Sequence, residues 1–399
     1  MSGYIGTQPV PQATQTRDSF TATSGQTSFA TGGYTPNFLD VYLNGVKLAA
    51  ADYTATNGSD VVLASGAVVN DILEVVAYTA FDTANATASS GFTVTGNLSV
   101  DGGTIKLDGN YPVGTDNVAL GNTALDDGSL SGGYNTAVGA GSLSANTSGQ
   151  QNASLGAYSL DANTTGSYNA GFGQSSLGSN TTGSNNTGLG RGALSANTTA
   201  SNNTAVGYIA LTANTTGDRN TGIGAYALTD NTTGASNTAL GISAVQNNTS
   251  GTFNTGIGDR ALDVNTTGNY NTALGGFALK NTTTSNNTAV GYQAGYSNTT
   301  GAALTAIGHN ALRSSTTASN NVAVGQDSLF TLTTGTGNVV LGTAASRGMT
   351  TGNFNVVVGQ EALKSNTTAS ENTAVGYQAM FSNTTGTPNV AVGRQALRS

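Results

Sequence analysis

The chain has 399 residues, 56 of them Gly and only 8% of them charged, with a net charge of −8. That charge argues against a nucleic-acid partner, since the sequence shows no basic stripe to follow a phosphate backbone, and the regular apolar positions exclude disorder. Cys is absent, which removes disulfide and thiolate chemistry, and no apolar run reaches the ~20 residues of a membrane-spanning helix.

Residues 1–18 are polar and carry Pro9 and Pro11. They read as an extended arm, either a frayed terminus or a segment ordered by a partner. The opening Met1-Ser-Gly-Tyr-Ile-Gly lacks the charged and apolar regions of a signal peptide, which weighs against a secreted protein. Residues 19–81 predict a small β-sandwich of about six short strands. Phe38-Leu-Asp-Val-Tyr-Leu alternates, Asn44-Gly45 turns, and Val46-Lys-Leu returns as a hairpin. Asn57-Gly58 marks a second hairpin between Tyr53-Thr-Ala-Thr and Val61-Val-Leu, and Ile72 to Tyr78 closes as a further strand. Residues 82–116 predict a linker followed by a neck. Its alternating Phe92, Val94, Leu98, Val100, Ile105 and Leu107 are too few to fold alone and would wind with sister chains.

Residues 117–399 are a repeat array. One copy runs Asn203-Thr-Ala-Val-Gly-Tyr-Ile-Ala-Leu and carries Asn214-Thr-Thr-Gly near its end. The repeat Gly recurs from Gly121 to Gly393, and fourteen of its sixteen spacings are seventeen residues. The first is eighteen, and Gly275 to Gly291 is sixteen. A large apolar residue precedes every repeat Gly, Ala or Ser stands three residues after it, and Leu usually stands fourth. Val245, Gly295, Ser346 and Met380 depart from Leu, and Leu304 is the one replacement of the opening Asn.

Seventeen residues are too few for two helices with their turns, and Gly, Asn and Thr oppose helix. The expected fold is therefore all-β: a small N-terminal β-sandwich followed by a parallel β-solenoid of about seventeen 17-residue coils, on the order of 80 Å long. Two aliphatics per coil are expected to point inward, Gly to make a corner, Asn to ladder between coils, and Asn-Thr-Thr-Gly to form a second turn. The thin core predicts chains lying side by side, with the small Ala/Ser and Ala/Gly positions at the contact.

Reactive groupings are sparse, so no catalytic, metal or cofactor site is predicted. His309 is the only His; Asp126-Asp127 sits in the irregular first coil; Glu361 and Glu371 are ten residues apart; Asp218, Asp259 and Asp327 fall at differing offsets. A glycosidase needs two acids about 5–9.5 Å apart, which adjacent coils or chains would have to supply. Tyr208, Tyr226, Tyr292, Tyr296 and Tyr377 read either as coil-edge packing or as stacking surfaces for sugars.

The Ser2-Gly-Tyr-Ile-Gly arm, Phe38-Leu-Asp-Val-Tyr-Leu-Asn-Gly-Val-Lys-Leu and Asp52-Tyr-Thr-Ala-Thr-Asn-Gly resemble the virion-attachment end of marine phage and cyanophage tail fibres. Phe92 to Asn110 is similar to the neck of such fibres, and copies such as Asn372 to Ala379 are similar to fibre repeats and to trimeric autotransporter adhesin heads. The resemblance implies a homotrimeric virion protein without a cofactor. Residues 1–81 would join tail, portal or adaptor proteins, and the rod would serve recognition of a host glycan or protein, with a further distal subunit as one option. A secreted trimeric adhesin and a polysaccharide depolymerase are the alternatives. The resemblance also makes Ser399 an expected processed end, left after release of a chaperone domain, or a joint to another subunit.

Overall fold

The computed structural model describes residues 15–78 and 115–398, all strand, turn and loop without a helix. They belong to two compact units. The expected arm as far as residue 14, the linker and neck as far as residue 114, and Ser399 lie outside the described residues.

The first unit has seven strands: β1 (Gln15–Thr21), β2 (Gln26–Ala30), β3 (Leu39–Leu43), β4 (Val46–Lys47), β5 (Tyr53–Thr54), β6 (Asp60–Ala67) and β7 (Ile72–Tyr78). They pair as two antiparallel sheets, β1-β7-β3-β4 and β2-β6-β5, sharing one core that includes Phe29, Val41, Val61 and Leu73. Strand β1 begins at Gln15, so its first residues extend the sheet into the span expected to be arm. The Asn44-Gly45 turn is as read: both residues have positive φ, and Leu43 pairs with Val46. The second hairpin also pairs as read, Tyr53 with Leu63, but over a shorter ladder. Thr54 pairs with Val62, leaving a longer loop in which Asn57 Oδ1 accepts the Ser59 and Asp60 N–H groups.

The second unit stacks seventeen three-residue strands in parallel register, from β8 (Val118–Leu120) to β24 (Val390–Val392). In β13 (Thr204–Val206) and β14 (Thr221–Ile223), Thr pairs with Thr and Val206 with Ile223, so each residue type keeps its seat. Strand geometry sends alternate side chains to opposite faces. The middle residue, Ala205 for example, is fully buried. The aliphatic before the repeat Gly therefore faces outward, which corrects the expectation of two inward aliphatics per coil. Leu189, Leu240 and Leu274 are 45–47% exposed, whereas Leu194, Leu211 and Leu228, fourth after the Gly, are fully buried. The Ala/Ser and Ala/Gly positions expected at a chain contact are buried within the coil as well. The space across a single coil explains both results, because one Leu and two small side chains fill it.

Two columns of buried Asn run through this interior. In the first, the backbone N–H of one Asn donates to Oδ1 of the Asn one coil earlier, a series interrupted where Leu304 takes the Asn seat: Asn203 to Asn186 at 3.0 Å, Asn220 to Asn203 at 2.8 Å, Asn237 to Asn220 at 3.0 Å. In the second, Nδ2 donates to Oδ1, unbroken from Asn146 to Asn265. The same Nδ2 groups close the second turn, as Asn214 does on the Gly217 carbonyl at 3.0 Å. The missing residue of the sixteen-residue coil falls in that turn: Thr284 now offers the carbonyl that Asn271 Nδ2 reaches at 2.7 Å.

The repeat Gly is demanded twice over. Gly207 has φ +136°, and a Cβ there would lie 2.6 Å from the Gly224 carbonyl of the next coil. The buried Leu column is itself left-handed, with Leu211 at φ +52°, a conformation costing roughly 1–2 kcal/mol for an L-residue with a Cβ. Burial of the side chain, about 1.5–3 kcal/mol, offsets that strain. Where Gly295 vacates the Leu seat, Leu304 is buried in the Asn seat nine residues on, and restores an apolar side chain to the interior.

The first Asn column sets an expected outcome. Asn220→Ala strands the Asn237 backbone N–H and removes one of two Asn donors to the Gly234 carbonyl. It should cost about 1–3 kcal/mol, whereas Thr216→Ala on the exposed turn stays within about 0.5 kcal/mol. Urea melting distinguishes them, and equal midpoints would remove the ladder from the account of stability.

Candidate binding surface

The interior is fixed by the repeat, so functional variation is confined to positions whose side chains leave the coil. Several such columns run along the array. The first is the outward aliphatic row before each Gly, from Leu120 to Val392.

The second is the edge formed by the first and second residues after the Gly. It gathers four of the five tyrosines singled out in the sequence. Tyr208 meets Tyr226 edge-on at 5.6 Å and lies under Arg191 at 5.8 Å. Tyr292 contacts Phe277 at 5.9 Å and stacks with exposed His309 at 5.7 Å, 17° from parallel. Tyr377 lies beneath Arg394 at 5.8 Å. Ring packing between coils thus fixes these side chains while their outer edges stay in solvent.

The third column, five residues after the Gly, was not singled out in the sequence apart from Asp126 and Tyr296. From the tenth coil onward it reads Lys280, Tyr296, Arg313, Phe330, Arg347, Lys364, Phe381, Arg398. Cations and rings stack on one another. Lys280 lies 5.8 Å from Tyr296, Arg313 lies between Tyr296 at 5.8 Å and Phe330 at 5.6 Å, and Arg347 covers the other contact of Phe330 at 5.2 Å. Lys364 and Arg398 both lie over Phe381, at 5.5 and 5.8 Å. In the nine earlier coils the same column carries neither cation nor ring: Asp126, Ser144, Asp161, Gly178, Ser195, Thr212, Thr229, Gln246 and Asp263. Counting from each repeat Gly, rather than along the chain, is the signal that would have revealed it.

The candidate acids are not brought together. Asp127 accepts the Ser129 N–H at 2.7 Å, Asp218 the Ser201 N–H at 2.6 Å, and Asp327 an Asn310 Nδ2 hydrogen at 3.1 Å. Glu361 contacts Lys364 Nζ at 2.6 Å and Gln378 Nε2 at 2.7 Å. Lys364, with Gln378 second, holds its carboxyl below the usual range. Glu371 sits at another offset, on the exposed bend before the strand. Asp263 is pushed up by burial, against the pull of Lys280 and Arg260. Among the described residues, no group of three or more His, Cys, Asp or Glu side chains is placed to hold a metal ion. No family model, characterised protein or solved structure matches the chain.

Gly178 leaves a gap in the third column, a shallow depression of about 550 Å³ lined by Tyr158, Asp161, Ser175 and Ser195 among others. Burial there raises the Asp161 carboxyl above its ordinary 3.8. A carboxyl raised on folding contributes stability below its unfolded value and loses it as pH rises through the folded one. Asp161→Asn should therefore raise the melting temperature at pH 7, with the gain fading as pH falls toward 3.8. Thermal melts across that range check the sign, and a gain unchanged at low pH would contradict it.

Proposed function

We propose that the chain is a structural tail fibre of a phage. Residues 1–81 join the virion, and a homotrimeric rod projects for recognition of the host surface. The observation that carries this reading is the outward aliphatic row. Large apolar side chains recur once per coil along the whole array, 36–49% exposed at Leu120, Leu155, Phe172, Leu189 and Ile223. A continuous apolar strip of this kind marks an interaction surface.

A partner must match its length and its period, and a second copy in parallel register does both. The number three follows from the resemblance of the repeat to trimeric adhesin heads. Such a bundle covers the apolar rows and leaves the tyrosine edge and the cation–ring column to solvent. Its role is mechanical and adhesive rather than catalytic: many weak contacts, multiplied by chains and fibres, supply the binding.

Light scattering on the purified chain should give the mass of three copies. Ile223→Asp with Leu240→Asp replaces two partly exposed side chains, so a single coil tolerates it, while unpaired carboxylates in an apolar contact cost about 3 kcal/mol or more. That variant should fall to single chains. A parent protein that is already monomeric would remove the bundle. Antibodies raised against residues 15–78 should label particles at the base of their fibres, and unlabelled particles would remove the virion assignment.

A further inference from the structure

We infer that the cation–ring column of the last eight coils is a binding track for an acidic polysaccharide. The inference rests on the fibre reading and names the class of receptor. Charge in this chain is segregated along the array. Residues 276–399 hold six Lys and Arg against three Asp and Glu, within a chain of net charge −8. Five of those six cations share one column.

A purely structural role needs only that coils stack, and the first nine coils stack with Ser, Gly, Thr, Gln or Asp in the same seat. The rings do something more specific. A guanidinium held over a ring loses little side-chain freedom on binding, while its N–H groups remain in its own plane to meet a carboxylate or sulfate in a fork. Arg313, between Tyr296 and Phe330, is placed in this way and gives only Nε to a neighbour, Gln293, at 2.8 Å. Among the described residues no carboxylate lies within ion-pair distance of Arg313, Arg347 or Arg398, whereas Lys364 is occupied by Glu361.

Spacing then selects the ligand. Lys280, Arg313 and Arg347 stand two coils apart, roughly 10 Å at the spacing of paired strands. That distance is close to the length of a disaccharide in an extended glycan, so a polymer with one acid per disaccharide keeps register with these three cations, while Lys364 and Arg398 stand one and three coils beyond Arg347. Nucleic acid places a phosphate about every 3.4 Å along each strand, far denser than the cations. The acidic remainder of the chain also repels so dense a polyanion.

The test uses the full chain with hyaluronan, which has one carboxylate per disaccharide, dextran as the uncharged polymer, and oligothymidylate as the competing polyanion. Hyaluronan should be retained and dextran not, with retention weakened by salt. Arg313→Gln, Arg347→Gln and Arg398→Gln together should weaken hyaluronan binding at least about tenfold, since each removes a charge-assisted hydrogen bond to the polymer. Arg191→Gln, Arg219→Gln and Arg260→Gln remove equal charge from earlier coils and should change it less than about twofold. Arg→Lys at the three column positions should retain part of the binding, and unchanged melting keeps the comparison one of binding rather than folding.

Equal losses in the two triple variants, equal retention of dextran, absent retention of hyaluronan, or displacement of hyaluronan by oligothymidylate would each overturn the inference. Fibres that still label on particles while failing these measurements would leave the fibre reading in place. Particles without the chain would sink the fibre reading and leave the glycan measurement to stand alone.

Discussion

The array depends on a hydrogen bond from one coil to the next that is made inside the protein by Asn. A backbone N–H at the entry to the strand has no carbonyl of its own to meet, and wherever the preceding coil carries the Asn its Oδ1 accepts that hydrogen, as Asn186 does for Asn203. Buried in a narrow interior, that N–H would otherwise carry the full penalty of an unmade bond. The Asn amide is the right length to bridge one strand spacing, and its Nδ2 reaches a turn carbonyl of the next coil at the same time, as Asn220 reaches Gly234. Each Asn thus fixes both the spacing and the rotation of its neighbour. The repeat Gly enforces the same closeness from the other side, because the carbonyl of the next coil occupies the place where a Cβ would sit.

With spacing and register held from within, the outward positions are free of folding duty, and similar positions align in straight columns. That is why the surface chemistry of this molecule is one-dimensional. Tyr208 and Tyr226 are eighteen residues apart in the chain, and Phe330 and Arg347 seventeen, yet each pair is adjacent in space. A single substitution changes one rung, and a run of substitutions at one offset builds a track. The coils before and after Lys280 share an interior and differ in what they present.

Much of this was legible in the sequence. The period, the Gly corner, the Asn ladder and the Asn44-Gly45 hairpin each rest on a residue whose backbone or side-chain chemistry allows few alternatives. The direction of the aliphatic before the Gly was not legible, because hydrophobicity says that a side chain seeks cover without saying which cover. The clue was its neighbour. Ala or Gly at the middle of the strand is small because it faces the narrow interior, and alternation then sends the larger side chain out. The hairpin at Asn57-Gly58 was legible too, but not the length of its loop, where Asp60 turns its N–H to Asn57 Oδ1. The cation–ring column escaped because no short window of sequence contains two of its members. Only the period places Arg313 beside Tyr296 and Phe330.

The outward aliphatic row and the cation–ring column lie six residues apart, with the Gly corner between them, so covering one does not cover the other. In the proposed bundle this separation has a consequence for binding. Chains meeting along the aliphatic row present one cation track each, parallel and in register, since the same period that aligns the apolar contacts aligns the guanidinium groups. A long acidic chain leaving one track meets the next at the same height, and each contact raises the local concentration for its neighbours. Weak individual ion pairs then suffice for firm attachment. The internal Asn ladder, by holding every coil to one spacing, is what lets a surface of modest charges act together.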